Sequence, residues 1–266
     1  MIVHNFNPVL VDLGIFEIRW YSIAYILGII IGWIYADKII KKTEQNKYNF
    51  EAIKKSDFDD LLIYLVIGII LGGRLGYIIF YNLDYYSQNF LEIFKIWQGG
   101  MSFHGGLLGI IVAIYIFTKN KNTSFFKFTD IVACVSPIGI FLGRIANFIN
   151  GELFGKISTL PWAVIFPNGG DIARHPSQIY EAILEGVILF ILINFLALKK
   201  HLIIKSGYIS SFFLISYSIL RIFAENFREP DQHLGHLFNY FSMGTLLSFF
   251  TLIAGFLIIF FIKKNE

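Results

Sequence analysis

Apolar residues run along the chain in blocks of 17 to 25, at about 20–37, 60–81, 102–118, 129–149, 177–198, 207–228 and 238–262. Helices of that length cross the roughly 30 Å hydrocarbon layer of a bilayer. The strand-type alternation that a transmembrane barrel needs is absent, which leaves helices of period 3.6 as the spanning elements. The pattern therefore predicts an all-α integral membrane protein with seven transmembrane helices, a single domain over residues 1–266. Between the blocks, 82–101 (with LEIFKIW) reads as a short amphipathic helix on the outer surface. The stretch 150–176, with Pro161, Pro167, Gly169, Gly170 and Pro176, reads as a compact outer loop.

Composition agrees with this reading. Hydrophobic residues make up 56% and charged residues 15% of the chain, with mean hydropathy +0.63, which leaves too little polar surface for a soluble domain. The start, MIVHNFNPVL, has no basic region and no small-residue cleavage site, so it does not read as a removable signal peptide. Cys134 is the single cysteine, which excludes an intrachain disulfide and a thiolate metal cluster.

The distribution of charge matters more than its +3 sum. With the N-terminus outside, the inner segments carry fourteen lysines (38, 41, 42, 47, 54, 55, 119, 121, 127, 199, 200, 205, 263 and 264), against five cationic residues outside (Arg19, Lys95, Lys156, Arg174, Arg228). That bias places the C-terminus in the cytoplasm. Trp20, Trp97 and Trp162 then fall at the outer interface, where aromatic belts form. Small residues four apart (Gly28/Gly32, Gly68/Gly72/Gly76, Gly105/Gly109, Gly139/Gly143) read as close helix packing.

Charge within a bilayer is costly and needs a partner or a purpose. At 1.5 Å per residue, Arg74, Arg144 and Arg221 lie about 10, 8 and 9 Å below the outer surface. Glu181 and Glu185 open the fifth span, Glu225 stands one turn from Arg221, and His104 and Tyr21 begin the third and first spans. Each has a plain structural reading: Arg221 and Glu225 could neutralise each other, Arg74 could snorkel, His104 could cap a helix, and Tyr21 could anchor the interface. Cys134 reads as a small core residue. Taken jointly, three arginines exceed what charge balance with nearby carboxylates requires. An arginine cluster at headgroup depth suits a phosphate, which accepts its paired donors.

The densest polar stretch is Gly143-Arg144-Ile145-Ala146-Asn147-Phe148-Ile149-Asn150-Gly151-Glu152-Leu153-Phe154-Gly155. It resembles the G-R-x-x-N-F-x-N-x-E-x-x-G signature of the prolipoprotein diacylglyceryl transferase family of bacterial inner-membrane enzymes. Further blocks carry the same resemblance along nearly the whole chain: Arg19-Trp20-Tyr21, Gly72 to Tyr77, Gly99 to Gly106, Arg174 to Glu181, and Arg221 to Asp231. Ala146, where glycine is frequent, and Thr245, where glutamine is frequent, depart from the pattern without removing a charge.

The resemblance implies transfer of the diacylglyceryl group of phosphatidylglycerol to the lipobox cysteine thiol of exported preprolipoproteins, forming a thioether and releasing glycerol phosphate. It implies a multi-pass protein of the bacterial inner membrane, N-terminus periplasmic, working in the lipid bilayer. No cofactor, metal or nucleic acid is implied, and the chain lacks phosphate loops and metal-ligand spacings. Such a displacement needs charge stabilisation on the departing phosphate and a route to the thiolate. Arg144 and Arg221 are the expected phosphate holders, Arg74 a third candidate, and His104 the candidate base. Asn147 and Tyr21 would orient the headgroup, and Glu152 and Glu225 would fix the arginines. Asn150, Gly155, His175, Glu181 and Arg228 would support them. The alternative is a lipid or organic-anion transporter or flippase using the same arginines. Transporter sites favour the midplane and repeated halves, whereas these groups crowd the outer leaflet and no repeat is visible.

Overall fold

Crossing hydrocarbon requires every backbone N–H and C=O to be satisfied within the segment, and among the described residues each of the seven apolar blocks contains a helix. The computed structural model describes residues 2–14, 17–44, 53–96, 99–229 and 242–265, the side chains of Phe103, His104 and Asn265 excepted. Trp97, Pro230 and Asp231 lie outside these residues. The helices are α1 (Trp20–Glu44), α2 (Lys55–Tyr81), α3 (Leu83–Gln88), α4 (Phe103–Lys121), α5 (Phe125–Ile149), α6 (Ser177–Lys199), α7 (Tyr208–Glu225) and α8 (Met243–Asn265). Six of them, α1, α2, α5, α6, α7 and α8, are long and apolar enough to cross a membrane among the described residues. α4 occupies the expected third block.

Several features differ from the sequence pattern. α1 continues past the expected end because Ile39, Ile40 and Thr43 are buried rather than solvated. The segment 82–101 is not one helix: α3 stops at the non-helical Asn89, and a separate 3₁₀ turn, Phe90–Phe94, follows. Among the described residues, five short strands accompany the helices. β1 (Ile2–Val3) pairs in parallel with β4 (Val164–Ile165), β4 pairs antiparallel with β5 (Ala173–Arg174), and β2 (Val9–Asp12) pairs with β3 (Glu17–Arg19). Strands of two to four residues leave no periodicity to read.

The chain divides into two units, residues 40–129 and the remainder. Within 40–129, α2 and α4 meet through glycines: a Cβ on Gly76 would lie 2.7 Å from Gly105 Cα, and one on Gly72 would lie 2.8 Å from Gly109 Cα. Only hydrogens fit there, as in small-residue packing between membrane helices.

In the other unit, Ile39, Ala133, Cys134, Leu189, Ile193 and Ile209 form a buried apolar cluster, and Cys134 is the core residue expected. Asn194 ties three helices within it. Its Nδ2 donates to the Cys134 carbonyl at 3.0 Å, and its Oδ1 accepts from Tyr35 Oη at 3.0 Å. Asp130 caps α7 from α5, accepting from Gly207 N at 2.6 Å, and from Ser210 N at 2.7 Å and Oγ at 2.6 Å. These polar groups are expensive in an apolar core unless paired, and each one is.

Candidate functional site

The site is built where α5, α6 and α7 converge. α6 begins with one α-helical turn and passes into a π-helical stretch, Ala182–Ile188, a widened geometry often found at functional sites. Gly186 lets this stretch close on α5, since a Cβ there would lie 2.6 Å from Phe141 Cβ. Glu181 and Glu185 then point inward, 1% and 0% exposed, and face arginines of the two neighbouring helices.

The contacts form one network. Arg144 Nη1 meets Glu181 Oε2 at 2.7 Å, and Arg144 Nη2 donates to Glu185 Oε2 at 2.9 Å. Arg221 Nη1 meets Glu181 Oε2 at 3.0 Å and Glu185 Oε1 at 3.2 Å, while its Nη2 donates to Glu225 Oε1. Arg228 reaches Glu181 at 3.5 Å. Of the three arginines expected to outnumber their partners, Arg144 and Arg221 meet three carboxylates, Glu181, Glu185 and Glu225, which corrects that expectation; Arg228 joins the same network. The compensating charge comes from Glu185, 41 and 36 residues from its partners. Each arginine has five N–H groups, so both Arg144 and Arg221 keep donors to spare. Arg144 is the more open of the two, with 17% of its side chain exposed against 9%.

The end of α5 supplies the second part. The chain turns out of the helix through Gly151 at φ 64° and, unusually for a non-glycine, Leu153 at φ 56°. This turn brings Glu152 back beneath the helix, where its Oε1 accepts from Asn147 Nδ2 at 2.8 Å and Asn150 Nδ2 at 3.3 Å. Glu152 therefore holds two asparagines, not an arginine as expected, while Glu225 does hold Arg221. Gln178 at the start of α6 donates to the Glu152 carbonyl at 2.6 Å and Ser177 to the Leu153 carbonyl at 2.9 Å. Asn150 Oδ1 and Gln178 Oε1 are buried without a hydrogen-bond partner among the described residues, so acceptor capacity remains at the turn. His4 closes it from the N-terminal strand, its Nε2 2.7 Å from the Phe148 carbonyl.

The remaining expected residues fall into different settings. Gly155 pairs with Arg228 in an isolated bridge, and a Cβ on it would stand 2.6 Å from His175 Cβ. His175 Nδ1 lies 3.2 Å from Tyr180 Oη, which also accepts from Trp162 Nε1 at 2.7 Å. Burial, with Lys156 adding to it, holds His175 below the ordinary histidine pKa. Tyr21 stacks edge-on against Tyr25, ring centroids 5.1 Å apart.

Arg74 belongs to the 40–129 unit and is occupied by backbone carbonyls. It donates to Ile93 at 2.9 Å, Gly99 at 2.5 Å and Glu92 at 2.7 Å, and lies over the Tyr86 ring. It therefore neither snorkels nor offers a free fork to an anion, and instead pins the surface segment to α2. His104 is the second residue of α4, whose cap is Ser102 Oγ accepting from Gly105 N at 3.2 Å. The histidine side chain lies outside the described part of the structure.

Glu185, expected only at the mouth of the fifth span, is central to the network, and Gln178, for which no role was expected, ties the turn to α6. Glu181 and Glu185 at i, i+4 were the signal for a shared inward face. Gln178 lies within the Arg174 to Glu181 block, but its partner is a backbone carbonyl, which no side-chain pattern announces.

Comparison of the chain with known proteins points to one family. Residues 8–261 match the family model described as prolipoprotein diacylglyceryl transferase. A protein of Rickettsia canadensis named phosphatidylglycerol–prolipoprotein diacylglyceryl transferase is 47% identical over 96% of this chain and 96% of its own length. Similar proteins bearing the same name occur in Allorhizobium ampelinum, 48% identical over 91% of this chain and 85% of its own, and Methylocella silvestris, 45% identical over 98% and 95%.

Proposed function

We infer the activity of this chain from its kinship: it belongs to the prolipoprotein diacylglyceryl transferase family, and it is a membrane transferase that moves the diacylglyceryl group of phosphatidylglycerol onto a prolipoprotein. The transporter alternative is not favoured. In our reading the acceptor is the thiol of a lipobox cysteine. The sulfur bonds to the glycerol carbon that carries the phosphate, the C–O bond to phosphate breaks, glycerol phosphate leaves with the bonding pair, and the thiol proton passes to a base.

The observation that carries the site assignment is the pair of arginines, Arg144 and Arg221, clamped from different helices onto the same two carboxylates. A guanidinium fixed in place before substrate arrives spends no further reorganisation on the charge that develops at the leaving phosphate. Arg144, the more open one, makes the first contact, and Arg221 stabilises the departing oxygen from behind. The charge-matched carboxylates make the pocket rigid rather than strongly positive, which suits a singly charged phosphodiester. Asn147 and Asn150, both held by Glu152, together with Tyr21, position the headgroup. The unpartnered oxygens of Asn150 and Gln178 suit the hydroxyl donors of a glycerol headgroup. His104 is the proposed base.

We further read α4 as the seventh span, the N-terminus and the 150–176 loop as periplasmic, and the membrane as the bacterial inner membrane. Incubating the purified protein with phosphatidylglycerol and a lipobox peptide tests the activity through the diacylglyceryl mass shift on the cysteine. Arg144→Ala and Arg221→Ala each abolish that shift while the protein still inserts. Substantial activity in either variant rejects the clamp.

A further inference from the structure

The start of α8 touches the arginine network, although no block of the signature reading assigns it a role. Ser242 precedes the helix and caps it: its Oγ accepts from Thr245 N at 3.1 Å and its carbonyl accepts from Leu246 N at 3.1 Å. The same hydroxyl contacts Glu225 Oε2 at 3.1 Å. Gly244 stands two residues on, and a Cβ there would meet the Glu225 carboxyl group, 2.8 Å from its Cδ, and approach Arg221 Nη2 at 3.2 Å. Glu225 in turn holds Arg221 Nη2 through its other oxygen.

We propose that Ser242 and Gly244 are positioning residues for the phosphate-binding Arg221, acting through Glu225. The helix start forms a socket for one carboxylate. A missing side chain at 244 gives it room, the Ser242 hydroxyl fixes one oxygen, and the positive end of the α8 dipole favours its charge. Among the described contacts Glu225 is partly balanced by the Ser242 hydroxyl as well as by Arg221, so Arg221 retains more of its charge for an incoming phosphate than formal pairing allows. Both residues lie outside the substrate contacts proposed above.

The inference rests on the transferase reading, and the experiment separates the two. Wild type, Gly244→Ala, Ser242→Ala and Ser242→Thr are compared for thioether formation with phosphatidylglycerol vesicles and a lipobox peptide, normalised to inserted protein. Inactive wild type rejects the transferase reading itself. With active wild type, Gly244→Ala is expected to lower kcat/KM for the lipid by about a hundredfold, as misplacement by about 1 Å can, with the peptide KM unchanged. Ser242→Ala is expected to lose about tenfold, in proportion to one hydrogen bond of about 1.4 kcal/mol, and Ser242→Thr to restore it. Ser242→Ala at wild-type rate, or a loss that Thr does not restore, overturns the inference. So does a Gly244→Ala loss that appears equally in the peptide KM. If Gly244→Ala fails to insert, the Ser242 pair decides alone.

Discussion

Glu185 meets two arginines while itself fully buried, so removing it leaves both cations short of a partner in a low-dielectric site. Breaking a buried pair from one side costs about 3–5 kcal/mol, and Glu185→Ala should lower the thermal midpoint in detergent accordingly, with activity falling alongside. Glu185→Gln keeps the volume but turns an N–H toward a guanidinium, so it should lose stability as well. An unchanged midpoint in both would mean that Glu181 and Glu225 suffice to hold the arginines. For the base, His104→Gln should slow transfer mainly near neutral pH and recover partly at higher pH, where the thiol ionises unaided; a rate deficit independent of pH removes histidine from that role. Arg144 and Arg221 were legible in the sequence because charge stands out within an apolar run. Arg74 stood out equally, yet its partners are backbone carbonyls of Glu92, Ile93 and Gly99, which no side-chain pattern announces. Glu152 was found as a residue but given the wrong partner, because the Gly151–Leu153 turn that folds it back onto Asn147 depends on backbone angles.

Among the elements, the helical, membrane-spanning character of the chain followed from block length and the hydrogen-bond requirement of hydrocarbon, six described helices being long and apolar enough to cross, and glycine spacing anticipated the α2–α4 contact. The π-helical stretch of α6 did not follow, since its register depends on Gly186 meeting Phe141 across to α5. The β1–β4–β5 sheet was equally hidden, being made of two-residue strands from distant parts of the chain. That sheet runs into the loop bearing His175, and its chemistry gives a pH dependence. His175 is held neutral more strongly in the folded loop than in the unfolded chain. The unfolded chain therefore binds the proton first, and stability is full above the ordinary histidine value of about 6.5 and declines as pH falls through it. Limited proteolysis of the 150–176 loop should accelerate over that interval in the wild type. His175→Gln, which does not titrate, should show a flat profile there, and a slope unchanged by the substitution would assign the effect to another group.

At the scale of the molecule, the proposed orientation rests on the lysines. In the proposed seven-span arrangement fourteen of them fall on one side against five cationic residues on the other, a bias that predicts which side stays in the cytoplasm. The proposed chemistry needs the same sense, with the turn at Gly151–Leu153 and the 150–176 loop facing the compartment into which prolipoproteins are exported. A lone native cysteine, fully buried in the apolar cluster, makes this directly measurable. In a Cys134→Ala background, Asp12→Cys and Lys156→Cys should react with a membrane-impermeant maleimide added to intact spheroplasts, whereas Lys121→Cys and Lys263→Cys should react only after the membrane is opened. Lys121 closes α4, so its protection also counts the spans. Labelling of Lys121→Cys from outside would leave α4 uncrossed and reduce seven spans to six. Labelling of Lys263→Cys from outside with Asp12→Cys protected would invert the protein and move the arginine network to the cytoplasmic leaflet, where no exported thiol could reach it.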